Sequence, residues 1–295
     1  MVTAGPAVRE LRSAVITGAS RGLGLASAIQ LYERGWRVVG AMRSPDVGLE
    51  RLRAATGAAA GDPRLIGVRL DLEDSSSIVA AAKAIDEAVG APDALVHNAG
   101  IAAVGCVEDM PFGVWEQLFR TNLFGAVRLT QALLPSMRAA GRGRIVVVSS
   151  QGGIRGMPSI SAYSAAKGAL ERWAEALAEE IAPFGLGVTI LVAGMFATDI
   201  LTEQTPHHGD MSGPYATHYA GIERTGRWMI RFANAPEHFA RRLARSLDER
   251  APFARHAVGV DARLLLIGSR LLPGWLLHHV VGRAMGLPRR GALHE

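Results

Sequence analysis

Short apolar runs alternate with stretches of helical periodicity along the first two hundred residues. The runs SAVITG (13–18), RVVGAM (37–42), LIGVRL (65–70), ALVHNA (94–99), RIVVVSS (144–150) and GVTILVAG (187–194) read as strands. Between them, segments such as LASAIQLYERG, SIVAAAKAIDEAVG and AAKGALERWAEALAEEI repeat apolar residues every three or four positions, as one face of a helix does. Strands bounded by helices and apolar throughout are buried on both faces, which is the habit of a parallel sheet. Six such units in succession predict an α/β architecture: a Rossmann-like, doubly wound parallel sheet flanked by helices. No repeat, low-complexity stretch or Pro/Gly/Ser linker divides the chain, so 1–295 is expected to form one domain. Residues 12–200 would be its core. After residue 199 the alternation stops, and a polar loop leads into a helix-rich last third, 200–295.

Composition adds exclusions. At 295 residues and 49% hydrophobic, the chain can bury a sizeable core and is not disordered. A single cysteine, Cys106, permits no internal disulfide and suits a reducing compartment. No signal-peptide core precedes the first strand, and no run of 18 uncharged apolar residues occurs, so a cytoplasmic protein without a spanning helix is expected. The net charge of +5 is spread out with little basic–aromatic interleaving, which argues against nucleic-acid binding.

The lysines change the picture. Of 32 basic residues only Lys83 and Lys167 are lysine. Arginine is a planar fork that keeps its proton, whereas lysine is a compact point charge, so a lysine in this chain marks a position where the fork does not serve. Lys167 follows Tyr163 by four residues and would share a helix face with it. At roughly 5 Å and an effective dielectric of about 20, an ammonium favours a phenolate by about 3 kcal/mol, on the order of two pK units. The pair is a candidate acid/base.

Between the first strand and first helix lies T17-G-A-S-R-G-L-G24. Gly18, Gly22 and Gly24 allow a tight turn and close approach of backbone to an anion, and the following helix directs its N-terminal amides there. Ser20, Arg21 and Leu23 complete the turn. In dinucleotide-binding folds, an acid at the end of the second strand accepts from the ribose 2′-OH. Here the segment reads GAMRSPD, with Arg43 in that place and Arg21 within reach. Two guanidiniums suit a 2′-phosphate, and the cofactor expected is NADP(H).

In this order the motifs resemble the short-chain dehydrogenase/reductase family. The resemblance is dense over 12–200 and loose beyond. It rests on the glycine turn, Asn98–Ala99–Gly100, Asp71 with Leu72, Asn122 in TNLFG, a serine thirteen residues before the tyrosine, and Tyr163 with Lys167. The serine spacing selects Ser150 over Ser149. The resemblance implies that Tyr163 exchanges a proton with the substrate oxygen and Ser150 hydrogen-bonds that oxygen. It implies that Lys167 lowers the tyrosine pKa and clamps the nicotinamide ribose, and that Asn122 holds a water linking the lysine to solvent. Asp71 would contact adenine, while Gly194, Phe196 and Thr198 would meet the carboxamide and phosphates. A homodimer or homotetramer is implied as well. Two features depart from the family pattern: Ala193–Gly194 stands where Pro-Gly is frequent, and His97 precedes Asn98 where asparagine is common. His97 reads as a strand-end residue, not a catalyst.

The stretch after the sixth strand supplies Met195, Phe196, Ile200, Leu201, Met211, Tyr215, Tyr219, Trp228, Met229 and Phe232. These soft and flat groups predict a bulky apolar ketone, aldehyde or corresponding alcohol as substrate, although Arg224, Arg227 and Arg231 lie nearby. His207, His208 and Asp210 are close in sequence, but adjacent histidines point apart and no metal is expected. Cys106 reads as an inert thiol. The segment 261–287, punctuated by Arg263, Arg270 and Arg283, is expected to form a lid or subunit contact, with a membrane-surface contact as the other reading. A non-catalytic NADP(H) sensor or scaffold is the rival function. It is disfavoured because a sensor needs the glycine turn and Arg43 but not Asn122, Ser150, Tyr163 and Lys167 together.

Overall fold

The computed structural model describes residues 11–198 and 205–292. Seven strands form one parallel sheet: β1 (Ser13–Thr17), β2 (Arg37–Met42), β3 (Leu65–Arg69), β4 (Ala94–His97), β5 (Gly143–Ser150), β6 (Leu186–Ala193) and β7 (Phe253–Val258). Their order is β3-β2-β1-β4-β5-β6-β7. The chain starts in the middle, winds outward to β3, then crosses back to lay β4 against β1. Val15 therefore pairs with Val39 on one side and Leu95 on the other. Where the winding reverses, the connections leave in opposite directions and a crevice opens beyond the carboxyl ends of β1 and β4.

Helices cover both faces because the strands are apolar on both. One face carries α3 (Ser75–Val89), α5 (Gly125–Ala140) and α7 (Ser161–Ile181), which bury Ile85, Leu129, Leu133, Leu170 and Leu177 against the sheet. The other carries α1 (Gly22–Glu33), α2 (Pro45–Thr56) and α9 (Pro236–Ser246), which bury Leu31, Leu52, Phe239 and Leu243. Local signals set the helix ends. Asp74 caps α3 by accepting from the Ser76 amide, while Pro45 opens α2 and Gly57, at φ 67°, closes it. The short α4 (Phe112–Phe119) runs into α5 through a π-turn, Arg120–Phe124. A four-residue α6 (Gln151–Ile154) follows β5. The last third adds α8 (Ala216–Ile230), α10 (Val260–Leu271) and α11 (Gly274–Ala284).

The structure differs from the expected elements in two ways. β4 stops at His97, because the Asn98 side chain turns to donate to the carbonyls of Thr17 and Gly18 (2.9 and 3.3 Å). The last third is not purely helical, since β7 extends the sheet beside β6. Its sequence, FARHAV, interrupts an apolar run with Arg255 and His256, which an edge strand tolerates and a central strand would not.

Candidate active site

The floor of the crevice is made of main chain. Thr17 Oγ1, at the end of β1, accepts from the amides of Asn98 and Ala99, both at 3.0 Å, which locks the ends of β1 and β4 together. Gly18 and Gly22 take left-handed conformations, φ 69° and 54°. A Cβ on Gly24 would stand 2.2 Å from the Gly18 carbonyl oxygen and 2.4 Å from Asn98 Nδ2, so the first turn of α1 lies directly on the loop before it. These are the requirements of a pyrophosphate cradle: bare backbone, converging amides and the positive end of a helix.

At the outer end of the crevice, Ser20, Arg21 and Arg43 face a shared space with Asp71 and Leu72. Arg51 on α2 also lines it and donates to the Ser20 carbonyl (3.2 Å), a third guanidinium that the sequence pattern did not single out. The Asp71 amide is held by Ser77 Oγ (2.9 Å), and its carboxylate accepts from the Glu73 amide (3.0 Å).

At the inner end, β5 delivers two serines and α7 presents Tyr163 and Lys167 on one face. The serines are told apart by their partners. Ser149 is buried and donates to Glu171 Oε1 (2.5 Å), while Ser150 hydrogen-bonds toward Tyr163. Lys167 is buried and donates to the Val148 carbonyl (2.9 Å), with its Nζ 5.9 Å from the Tyr163 ring centre. Burial lowers the Lys167 pKa to about 8, partly offset by the carboxylate of Glu171 one helical turn on. Burial raises that of Tyr163, and the Ser150 hydrogen bond opposes the rise. The expected lowering of the tyrosine by its lysine is therefore not the dominant effect here. Removing the phenol from water penalises the phenolate more than an ammonium held on Val148 favours it.

Glu171 is fully buried and was not anticipated. Besides Ser149 it is held by Arg255 of β7, so the unforeseen strand reaches the back of α7. Asn122 is anchored by its side chain. In the π-turn its side chain accepts from the Ile101 amide (2.8 Å) and donates to the Ile101 carbonyl (2.9 Å). Both polar atoms are engaged, leaving the main chain of the turn to hold any water. Gly100 is packed beneath this pair, for a Cβ there would lie 3.0 Å from Asn122 Oδ1 and 3.5 Å from Lys167 Nζ.

One continuous cavity of about 1630 Å³ joins the glycine turn, Asp71, the Asn98–Gly100 loop, Ser150, Tyr163, Lys167, Gly194 and Thr198. A single drug-sized ligand fills roughly 300–1,000 Å³, so there is room for a dinucleotide beside a substrate. Residues 12–209 match the family model of the short chain dehydrogenases. The chain belongs to the short-chain dehydrogenase family. It is an oxidoreductase, and the family's chemistry uses a nicotinamide cofactor.

Relatives agree along the chain. The Escherichia coli K12 oxidoreductase YbbO is 31% identical over 92% of this chain and 94% of its own. Human retinol dehydrogenase 8 is 36% identical over 64% of this chain and 60% of its own. A short-chain dehydrogenase structure from Streptomyces avermitilis superimposes with a TM-score of 0.78 at 33% identity, covering 95% of this chain and 100% of the other. Solved relatives carry either cofactor. A Burkholderia phymatum enzyme, in complex with NAD, is 26% identical (TM-score 0.73, 88% and 92% covered). A metagenomic one, in complex with NADP, is 27% identical (TM-score 0.65, 84% and 96% covered).

Not every expected residue serves the dehydrogenase's cleft. Met195, Met211 and Tyr219 line it, joined by Val104, Ile160 and Ile222, which the sequence reading missed. Tyr215 instead donates to Glu108 (2.9 Å), and Trp228 packs on Phe232 with both rings exposed. Met229 is not among the lining residues either, and Ile200 and Leu201 lie outside the described residues. The Phe196 ring is buried edge-on against Phe239, so only its main chain can serve a cofactor. Of the three nearby arginines, Arg227 alone reaches the cavity, paired with Glu223. Tyr219 is a strut: its hydroxyl accepts from the Cys106 amide (2.6 Å) and donates to Asp109. Cys106 is buried, its sulfur 3.6 Å from Ser159 Oγ.

His97 is buried outside the cavity. Its Nε2 meets Thr130 Oγ1 at 2.7 Å, and burial lowers its pKa to about 3, so it stays neutral. Asp210 accepts from the amide and hydroxyl of Ser212, and among the described residues no three His, Cys, Asp or Glu side chains converge as metal ligands. No residue of α10 or α11 lines the cavity, so the expected lid over the cleft is absent among the described residues. No described helix is long and apolar enough to cross a membrane.

Proposed function

We propose that this enzyme is an NADP(H)-dependent alcohol dehydrogenase/carbonyl reductase acting on bulky apolar ketones or aldehydes and the corresponding alcohols. The observation that carries the reading is one cavity with Ser150, Tyr163 and Lys167 at its inner end, arginines at its outer end and apolar side chains between Tyr163 and α8. The nicotinamide, when bound, supplies or accepts a hydride at the substrate carbon. Every other part of the reaction falls to this chain.

In the direction of reduction, Tyr163 gives its proton to the carbonyl oxygen, leaving a phenolate beside Lys167. Ser150 donates to the same oxygen as charge develops on it. A tyrosine kept protonated by burial is suited to the acid role, and the lysine ammonium stabilises the phenolate that results. Lys167 would exchange the Val148 carbonyl for ribose hydroxyls, which three rotatable donors permit and a guanidinium fork does not. In oxidation the same groups act in reverse. The pyrophosphate would rest on the glycine turn and the α1 N-terminus, adenine near Asp71 and Leu72, and a 2′-phosphate among Arg21, Arg43 and Arg51. The intact catalytic set disfavours a non-catalytic sensor.

The substrate preference is supported by Met195, Met211, Tyr219 and Ile222, with the one nearby guanidinium, Arg227, neutralised by Glu223. Assembly as a homodimer or homotetramer in a reducing compartment completes the proposal, supported by the exposed Phe112, at the start of α4, and Phe124, the last residue of the π-turn, and by a free, buried cysteine.

The test is twofold. Fluorescence titration should give NADPH an affinity roughly ten- to a hundredfold above NADH, the range expected of charge-assisted contacts to one phosphate, and Arg43→Asp should erase the difference. Equal affinities in the unmodified enzyme would refute the cofactor assignment. A panel of carbonyl compounds followed by cofactor absorbance should favour aromatic and long-chain ketones; turnover confined to small charged keto acids would refute the substrate class.

A further inference from the structure

The hairpin of α10 and α11 shows its apolar side to solvent. Val260, Leu264, Ile267 and Leu271 recur at spacings of four, three and four, which places them in one stripe along α10, and each is 54–76% exposed. Trp275, at the start of α11, prolongs the stripe with an exposed indole. The hairpin is anchored from its other side: Ala262 and Leu277 are buried, and Asp261 accepts from Gln151 and from the Met195 amide. An amphipathic helix normally turns such a stripe to the core. A contiguous exposed one marks a surface made to be covered.

Charge indicates what covers it. Residues 262–292 contain Arg263, Arg270, Arg283, Arg289 and Arg290 and no Asp or Glu. Those five positive charges equal the net charge of the whole chain, +5, so the remaining residues balance. All five arginines are exposed, and among the described residues none forms an ion pair with a carboxylate. A second copy of the hairpin fits poorly. Arg263 and Arg270, seven residues apart, flank the stripe on one side, and a twofold antiparallel pairing would set them against their own like charges. An anionic lipid surface takes both features together, the apolar stripe and indole in the acyl boundary and the arginines among headgroups.

We infer that the α10–α11 hairpin docks the enzyme on the surface of a membrane containing anionic lipid, lying in the interface without crossing it. The placement serves the cleft. α8, which carries Ile222 and Ile230 of the cavity wall, touches the end of the hairpin, where Gly221 packs on Gly286 so closely that a Cβ would stand 2.4 Å from the Gly286 carbonyl oxygen. Docking through the hairpin brings that wall close to the phase in which an apolar substrate would dissolve.

Vesicles test this without cofactor or substrate. The full chain should co-sediment with vesicles of mixed phosphatidylglycerol and phosphatidylcholine, bind phosphatidylcholine alone far more weakly, and lose affinity as salt rises. Emission should shift to the blue on binding, and Trp275→Phe should remove most of that shift. Arg263→Gln with Arg270→Gln should weaken binding about thirtyfold, as expected for two basic residues near an anionic surface. Leu264→Gln with Leu271→Gln should weaken it at least tenfold, and because both leucines are exposed the fold and NADPH affinity should not change. Three results would each overturn the proposal: equal or absent binding to the two vesicle types, binding indifferent to both double variants, or an oligomer in solution that the leucine variant splits. The last would assign the stripe to a second copy of the chain.

Discussion

The two halves of the cleft are built from different materials. The proposed cofactor half is main chain: left-handed Gly18 and Gly22, Gly24 pressed onto the Gly18 carbonyl, and Thr17 and Asn98 pinning strand ends. The proposed substrate half is side chain: Met195, Met211, Tyr219 and Ile222, drawn from a loop and from α8. A main-chain site needs bare backbone and fixed dihedrals, so few residues can occupy it and replacements fail sterically. A side-chain site is made of volume and polarity, which many residues supply, so it can change without disturbing the sheet below. The proposed reacting groups, Ser150 and Tyr163, stand where the halves meet, on β5 and α7.

The largest expected effect separates the chemistry from both halves. Tyr163→Phe removes the exchangeable proton and leaves every wall in place. Turnover should fall about 10²–10⁴-fold, while NADPH affinity by fluorescence titration stays within about twofold. A variant that also lost cofactor affinity would place Tyr163 in the cofactor half.

Next in size is Glu171→Gln, behind the junction. Losing the buried carboxylate leaves Arg255 with Glu175 alone (3.8 Å) and should lower stability by about 1–3 kcal/mol, read by urea denaturation. It should also move a pH profile. Lys167 titrates at about 8 because burial disfavours its charge, and Glu171 opposes that. Reduction should therefore decline as pH rises through about 8, and without Glu171 the decline should begin at lower pH. Stability moves the other way in the unmodified enzyme. The Lys167 pKa lies below its unfolded value of 10.5, so burying the ammonium costs stability in full below about 8, and the cost is relieved as pH climbs toward 10.5. An unmoved profile in the variant would reduce Glu171 to a structural residue.

The comparison of halves is sharpest in a pair of small substitutions. Gly24→Ala should cost about 1–3 kcal/mol and weaken NADPH binding, since the groups a methyl would strike are backbone and a pinned amide. Met211→Ala deletes more atoms from an exposed wall, and should leave stability within about 0.5 kcal/mol while altering KM for bulky ketones. Equal losses from the two would erase the distinction.

What the sequence disclosed follows the same division. Strands β1 to β6 were legible because burial on both faces writes them as apolar runs, and the glycine turn, Asn98, Ser150 and Tyr163 because main-chain geometry and proton transfer admit few residue types. β7 was hidden because an edge strand mixes Arg255 and His256 into its pattern. Glu171 was hidden because a glutamate on a helix ordinarily faces water, and only the tertiary fold brings Ser149 and Arg255 to it. In the substrate half, density of aromatic residues was a poor guide. Trp228 and Phe232 are exposed, whereas Val104 and Ile160, remote in sequence, line the wall. The outward stripe on α10 was concealed because periodicity gives a helix its apolar face without saying which way that face turns.

The contact between Arg255 and Glu171 also has a consequence in time. The chain emerges from the ribosome from its N-terminus, and β1 to β6, with the whole proposed catalytic set, are made before residue 253 exists. A sheet assembled at that stage would bury Glu171 with only the exposed Arg172 guanidinium near its carboxylate, 4.0 Å away, and without the Arg255 contact. The contact behind α7 is thus completed by the last strand to be synthesised, and a chain broken off before β7 would carry the motifs of the site without it.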